Sequence, residues 1–194
     1  MLPFTMGRFL EVGCGTGATL EYLKSRGASY VAGIDINREA IDIASRKGLD
    51  FVATANVESD QLSFSEKEFD CIIIADVLEH LYNPWDTLKK LSHYLKDAGY
   101  ILLSIPNIKY AHILSRLIFH DEWSYCDDGI LDNTHIRFFT LKEIKKLLDF
   151  AGLEISKLSW REIAGRKFKI LNTISFNKMR SFSIVQYYVM AHKK

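Results

Sequence analysis

The run Phe9-Leu10-Glu11-Val12-Gly13-Cys14-Gly15-Thr16-Gly17 sets a carboxylate two residues ahead of three closely spaced glycines. Glycine admits positive φ and lets the backbone approach a ligand, because no Cβ intervenes. A helix that starts behind such a turn offers free N–H groups to a polar ligand. A second carboxylate, Asp35, ends the next apolar run, Tyr30-Val31-Ala32-Gly33-Ile34. An acid about 20 positions beyond the glycines can hold both hydroxyls of a ribose. Together these residues describe a site for a nucleoside-bearing cofactor. Gly13, Gly15 and Ala18 also satisfy the dinucleotide fingerprint G-x-G-x-x-G/A, which leaves an NAD-dependent oxidoreductase as one reading. The E-x-G-x-G-x-G form favours another, since a carboxylate at the depth of Glu11 suits a cofactor carrying an amino-acid ammonium better than a pyrophosphate.

Two further clusters carry groups able to do chemistry. Asp76-Val77-Leu78-Glu79-His80-Leu81 brings two acids and an imidazole directly after an apolar run. Residues 125–140 carry His135 and Arg137 behind Asp127, Asp128 and Asp132. An imidazole titrates near working pH, so His80 and His135 can each move a proton. Each has a plainer reading. His80 can be a partly buried helix histidine with a structural hydrogen bond. His135 and Arg137 can organise a loop around Asp132 with no proton transfer.

These groups need elements to position them, and strand and helix patterns alternate along the chain. Strands are expected at 8–12, 30–35 and 50–54 and over Phe69–Ala75, whose nearly continuous apolar run fits a parallel strand covered on both faces. A fifth follows at 99–105, stopped by Pro106. Helices fill the gaps: 17–26 ending at Gly27, one capped by Asn37 and stopped by Gly48, and one opened by Asn83-Pro84 with Leu88, Leu91 and Leu95 as its buried face. This rhythm implies a doubly wound, mostly parallel sheet. Residues 106–139 break it with a short helix near 109–119. Thr140-Leu141-Lys142-Glu143 is a capping box for a helix that ends at Gly152. Late strands are expected at 153–160 and 182–191, around a stretch, 162–180, with no clear pattern.

The run from Glu11 to Gly17, with Asp35, resembles the first motif and ribose-binding acid of class I S-adenosylmethionine-dependent methyltransferases. Asp76-Val77-Leu78-Glu79-His80-Leu81 resembles their fourth motif. Gly129-Ile130-Leu131-Asp132-Asn133-Thr134-His135-Ile136-Arg137-Phe138-Phe139-Thr140 resembles a subgroup related in pattern to the enzymes of ubiquinone O-methylation. The resemblance covers roughly residues 8–160. It implies a seven-stranded Rossmann-like sheet whose last strand is antiparallel, S-adenosylmethionine as cofactor with S-adenosylhomocysteine as product, and methyl transfer to oxygen or nitrogen of a small-molecule, sugar or amine acceptor. It assigns cofactor binding to Glu11, Gly13, Cys14, Gly15, Gly17, Asp35, Ile36, Asn56, Val57, Asp76, Val77 and Leu78. Asn56 stands where the family usually has an acid for the adenine amino group, and its amide oxygen can accept the same bond. His135, with His80 second, is the expected acceptor-side catalytic residue. Asp70 is expected to be structural, and Phe138 and Phe139 to be core. Relatives carry helices ahead of the first strand that cover the cofactor; the few residues before Arg8 lead to the expectation that these are absent here. A non-catalytic cofactor-binding subunit is a further reading on that ground.

Composition bounds these readings. The chain's 194 residues suit one domain, 1–194, with 106–139 and 162–180 as acceptor-side insertions. A net charge of +1 provides no global field toward nucleic acid. Charge is nonetheless uneven: Asp121, Glu122, Asp127, Asp128 and Asp132 lie in a stretch without Lys or Arg, and residues 156–180 are rich in both. These are two solvated faces, or an acidic mouth for an amine, or a basic lid for a phosphorylated acceptor. Cys14, Cys71 and Cys126 form no ligand spacing, so neither a disulfide framework nor a metal is expected, and reduced thiols fit a cytoplasmic protein. No apolar run reaches the roughly 20 residues needed to span a bilayer, and no signal peptide is expected.

Overall fold

The computed structural model describes residues 6–163, 165, 172–176 and 178–194. Seven strands form one sheet: β1 (Arg8–Val12), β2 (Tyr30–Asp35), β3 (Phe51–Thr54), β4 (Phe69–Ala75), β5 (Leu95–Pro106), β6 (Leu153–Glu162) and β7 (Ile184–Lys193). Their order is β3-β2-β1-β4-β5-β7-β6. β1 to β5 pair in parallel, and β7 lies antiparallel between β5 and β6.

Alternation along each strand makes two cores. Phe9, Val31, Cys71 and Ile73 face α1 (Ala18–Ser25) and α2 (Arg38–Ala44), where they meet Leu20, Leu23 and Ile41. Leu10, Val12, Ile34, Ile72 and Ile74 belong to the larger core with Leu88 and Leu91 of α3 (Pro84–Tyr94) and Ile144, Leu147 and Leu148 of α5 (Leu141–Phe150). Each fully buried Leu or Ile contributes roughly 1.5–3 kcal/mol by leaving water. Helix starts sit where their caps predict. The side chains of Asn37, Asn83 and Thr140 accept from Ala40, Asp86 and Glu143 N–H groups.

β5 departs from expectation. It begins at Leu95 rather than Gly99, because the chain leaves α3 directly into pairing with Phe69 and only then shifts register. The segment after β5 contains α4 (Ala111–His120), which buries none of its residues. Phe139 is core as expected; Phe138 is only partly buried and packs edge-on against Trp123 at 5.4 Å. Asp70 is structural: it accepts from the Arg8 N–H at 2.8 Å and from the Lys96 ammonium. Much of 162–180 lies outside the described residues. No helix among the described residues is long and apolar enough to cross a membrane.

Candidate active site

The carboxyl ends of β1 to β4 surround a cleft of about 420 Å³. Ligands of open α/β sheets bind at this edge, beside the point where strand order reverses. Here the reversal falls between β1 and β4. Gly13, Asp35, Ile36, Asn56, Val57, Asp76 and Val77 all line the cleft. Gly13 has φ +72°, and a Cβ there would stand 2.5 Å from Val77 Cγ2, so only glycine lets the β1 turn and the β4 loop close together. Gly15 has φ +51° with nothing within 4 Å of a built Cβ. The space over the loop is open.

Asp35 ties that loop down. Its Oδ2 accepts from the Gly15 N–H at 2.7 Å and its Oδ1 from the Asn37 N–H at 2.8 Å. Each oxygen keeps a second lone pair for a ligand hydroxyl. Ile34, Val57 and Leu81 add apolar wall. An open glycine turn, a carboxylate with spare acceptor capacity and an apolar flank fit an adenosyl cofactor.

Five residues assigned to the cofactor do not line the cleft. Glu11 is buried under the loop, and its Oε2 has no hydrogen-bond partner. Burial pushes its carboxyl up to about 7, opposed by a hydrogen bond from Thr19. Cys14 is buried in the smaller core. Gly15 turns its N–H to Asp35, Gly17 caps α1 in the left-handed conformation, and Leu78 is buried in the larger core. Of the five, Gly15 and Gly17 set the backbone of the glycine loop. Asn56 is partly engaged, since its Oδ1 accepts from the Glu58 N–H at 2.9 Å.

A second cavity of about 430 Å³ adjoins the first. Asp76 and His80 belong to the walls of both. Asp76 takes φ +52°, and its carboxylate accepts from Gln186 Nε2 at 2.5 Å and from the Ser104 hydroxyl at 3.2 Å. Glu79 is 1% exposed and neither of its carboxylate oxygens has a partner. Burial is the main force raising its carboxyl to about 8. His135 is also buried, with Nδ1 3.0 Å from the Ile130 carbonyl. A carbonyl only accepts, so Nδ1 carries the proton and Nε2 the lone pair. His80 and His135 pack edge to face at 4.6 Å. Burial, and then His135, depress the imidazole of His80.

The alternative for Arg137 is half met. It organises a loop, but through the Tyr82 carbonyl rather than Asp132. Asp128, Asp132 and Arg161 share the wall of the second cavity, so the acidic mouth includes a cation. Residues 166–171 of the basic run lie outside the described residues. Sequence reasoning missed Glu58 and Tyr82 in the first cavity and Gln186 in the second. Glu58 follows Asn56 closely enough to have been found. Gln186 had no signal, because only the antiparallel pairing with Pro106 brings it to the site.

A family model described as a methyltransferase domain matches residues 2–158. A ubiquinone biosynthesis O-methyltransferase from Aeromonas salmonicida is 25% identical over 183 residues, spanning 90% of this chain and 75% of that protein. A mitochondrial one from Dictyostelium discoideum is 28% identical; the match spans 60% of this chain and 40% of that protein. The chain therefore spans less than two thirds of the length of some curated relatives. The crystal structure of a S-adenosylmethionine-dependent methyltransferase from Archaeoglobus fulgidus superposes with TM-score 0.70 at 22% identity, over 96% of this chain and 86% of that one.

Proposed function

Since the chain belongs to the methyltransferase-domain family and is an S-adenosylmethionine-dependent methyltransferase, we propose that it methylates a hydroxyl oxygen of a small-molecule acceptor held in the second cavity. The carrying observation is that Asp76 and His80 line both cavities, so cofactor and acceptor would meet at those two side chains. The cofactor supplies a sulfonium methyl group already activated for in-line displacement. The protein's task is then to hold the acceptor oxygen about 3 Å from that methyl, in line with the breaking bond. Oxygen is favoured over nitrogen by the relatives named as ubiquinone biosynthesis O-methyltransferases. Neither an NAD-dependent oxidoreductase, a non-catalytic subunit, nor a sugar or amine acceptor finds support in the comparisons.

Asp35 would hold the ribose hydroxyls, and Asn56 and Val57 would face the adenine. Gly13 and Val77 would bring backbone close to the remainder. A hydroxyl must give up its proton as the new O–C bond forms, and Glu79, His80 and His135 are the groups placed to ease that loss. The test incubates the protein with S-adenosylmethionine carrying an isotopically labelled methyl and matched small phenols and amines. Labelled ether together with S-adenosylhomocysteine is the expected outcome. Label in the amines alone would move the reaction to nitrogen. Cofactor binding without labelled product from any acceptor would count against catalysis.

A further inference from the structure

Arg161 stands near the end of β6, directly opposite Gln186 of β7. Directly opposed residues of an antiparallel pair present their side chains to the same face. Both residues accordingly line the second cavity. The register of β6 on β7 slips immediately after Arg161: Glu162 pairs with Ile184, and Val185 falls between the two pairs. An extra residue of this kind bends its strand and re-aims the side chains around it, and such bulges gather beside active sites. Val185 also belongs to the cavity wall.

Neighbouring cations are engaged. The Arg180 guanidinium lies 3.7 Å from Glu162 and over the Trp160 ring. Arg137 donates to the Tyr82 carbonyl, and the Lys109 ammonium lies over the Phe182 ring at 4.3 Å. Arg161 is exposed, and among the described residues its guanidinium has neither an ion-pair nor a hydrogen-bond partner. The acids of the cavity are largely occupied too. Asp76 accepts from Gln186 and Ser104, and Asp132 accepts from the Thr134 N–H and hydroxyl. Burial raises Glu79 to about 8, so its carboxyl is uncharged at neutral pH. Asp128 shares the wall without an ion pair to Arg161 among the described residues.

We propose that the acceptor carries an anionic oxygen group, a carboxylate or a phosphate, and that the Arg161 guanidinium recognises it. The planar fork of a guanidinium matches either group through paired N–H donors. Gln186 stands beside Arg161 in the sheet and donates to Asp76 at 2.5 Å. Asp76 in turn lines both cavities, where cofactor and acceptor would meet. The anionic group and the reacting hydroxyl thus sit at opposite ends of one small acceptor. Its body lies against the apolar wall of Pro106, Ile130, Ile163 and Val185. A cavity of about 430 Å³ suits a single substituted ring. Holding both ends fixes the hydroxyl against the methyl group, the orientation that in-line transfer needs. Arg161 is then a specificity-determining residue, and the acceptor is a hydroxy acid or a hydroxylated phosphate ester. The hydroxyl rests on the proposed methyl transfer to oxygen; the anion site does not.

The test uses the full chain with adenosyl-homocysteine bound, titrated in a calorimeter with phenol, hydroxybenzoate and hydroxyphenyl phosphate. At least one of the two anions should bind ~10–100-fold more tightly than phenol, the worth of a charge-assisted hydrogen bond. The tighter of the two tells carboxylate from phosphate. The difference should shrink as salt rises. Arg161→Gln should erase most of it, and Arg161→Lys, which keeps the charge without the fork, should fall between. Adenosyl-homocysteine affinity in each variant reports that the fold is intact. A wild-type chain that binds neither anion more tightly than phenol overturns the proposal. So does a preference that survives Arg161→Gln, because another cation then supplies it. Methylation of neutral phenols as fast as of their anionic counterparts would sink the anion site and leave the reaction standing. Anion binding that is lost with Arg161, but no labelled product from any phenol, would sink the methyl-transfer reading and leave the site standing.

Discussion

At the scale of single residues, Asp35 has two jobs in one carboxylate. It anchors the glycine loop through the Gly15 and Asn37 N–H groups, and it stands in the cleft wall. Asp35→Ala should weaken adenosyl-homocysteine binding by about 2–3 kcal/mol in calorimetry, through lost charge-assisted bonds to the ribose and a loosened loop. Asp35→Asn, which keeps one acceptor oxygen, should fall between. Unchanged affinity in the alanine variant would remove Asp35 from the site. Glu11 makes a different prediction. Its buried carboxyl is raised from 4.5 to about 7, so the folded chain holds a proton that the unfolded chain has released. The contribution to stability is complete below pH 4.5 and is lost as pH rises through 7. Glu11→Gln has no such proton, so relative to the wild type it should gain on the order of 3 kcal/mol between pH 4.5 and pH 8 in urea unfolding. Parallel pH profiles for the two proteins would show that Glu11 is not desolvated as described.

At the scale of elements, the caps were readable because they are local. Asn37, Asn83 and Thr140 each accept an N–H of their own first helical turn, a bond fixed by residues three apart. Asn83 also donates to Asp86 Oδ2 at 2.6 Å, and its own N–H goes to Glu58 in the cleft wall. Asn83→Ala should cost about 1 kcal/mol, seen as a lower urea midpoint at unchanged m-value. A changed m-value would mean that the substitution disturbs more than the start of α3. The start of β5 was less readable, because Leu95 serves both as the last apolar position of α3's stripe and as a partner of Phe69. Helical spacing and strand pairing claim the same residue, and only the packed sheet decides between them.

At the scale of the whole molecule, the smaller core shields two of the three thiols. Cys14 and Cys71 are buried, and burial pushes both up to about 12, whereas Cys126 is exposed. Iodoacetamide at neutral pH should label Cys126 alone in the native protein and all three thiols in denaturant, as mass spectrometry would show. Native labelling of Cys14 would mean that the glycine loop opens. The sequence by itself determined the strand and helix alternation, the glycine turn and the acid at the end of β2. Each of these is written in near neighbours: a buried parallel strand must be apolar on both faces, and a tight turn must use glycine. The antiparallel seating of β7 between β5 and β6 came only as an implication of the family resemblance. The meeting of Glu79 with His80 and His135, and of Asp76 with Gln186, was beyond sequence spacing. Those contacts join segments far apart in the chain, and nothing in local propensity or periodicity records which sheet edge a distant strand will choose. Only the tertiary structure brings a carboxylate with no partner of its own to within reach of two imidazoles.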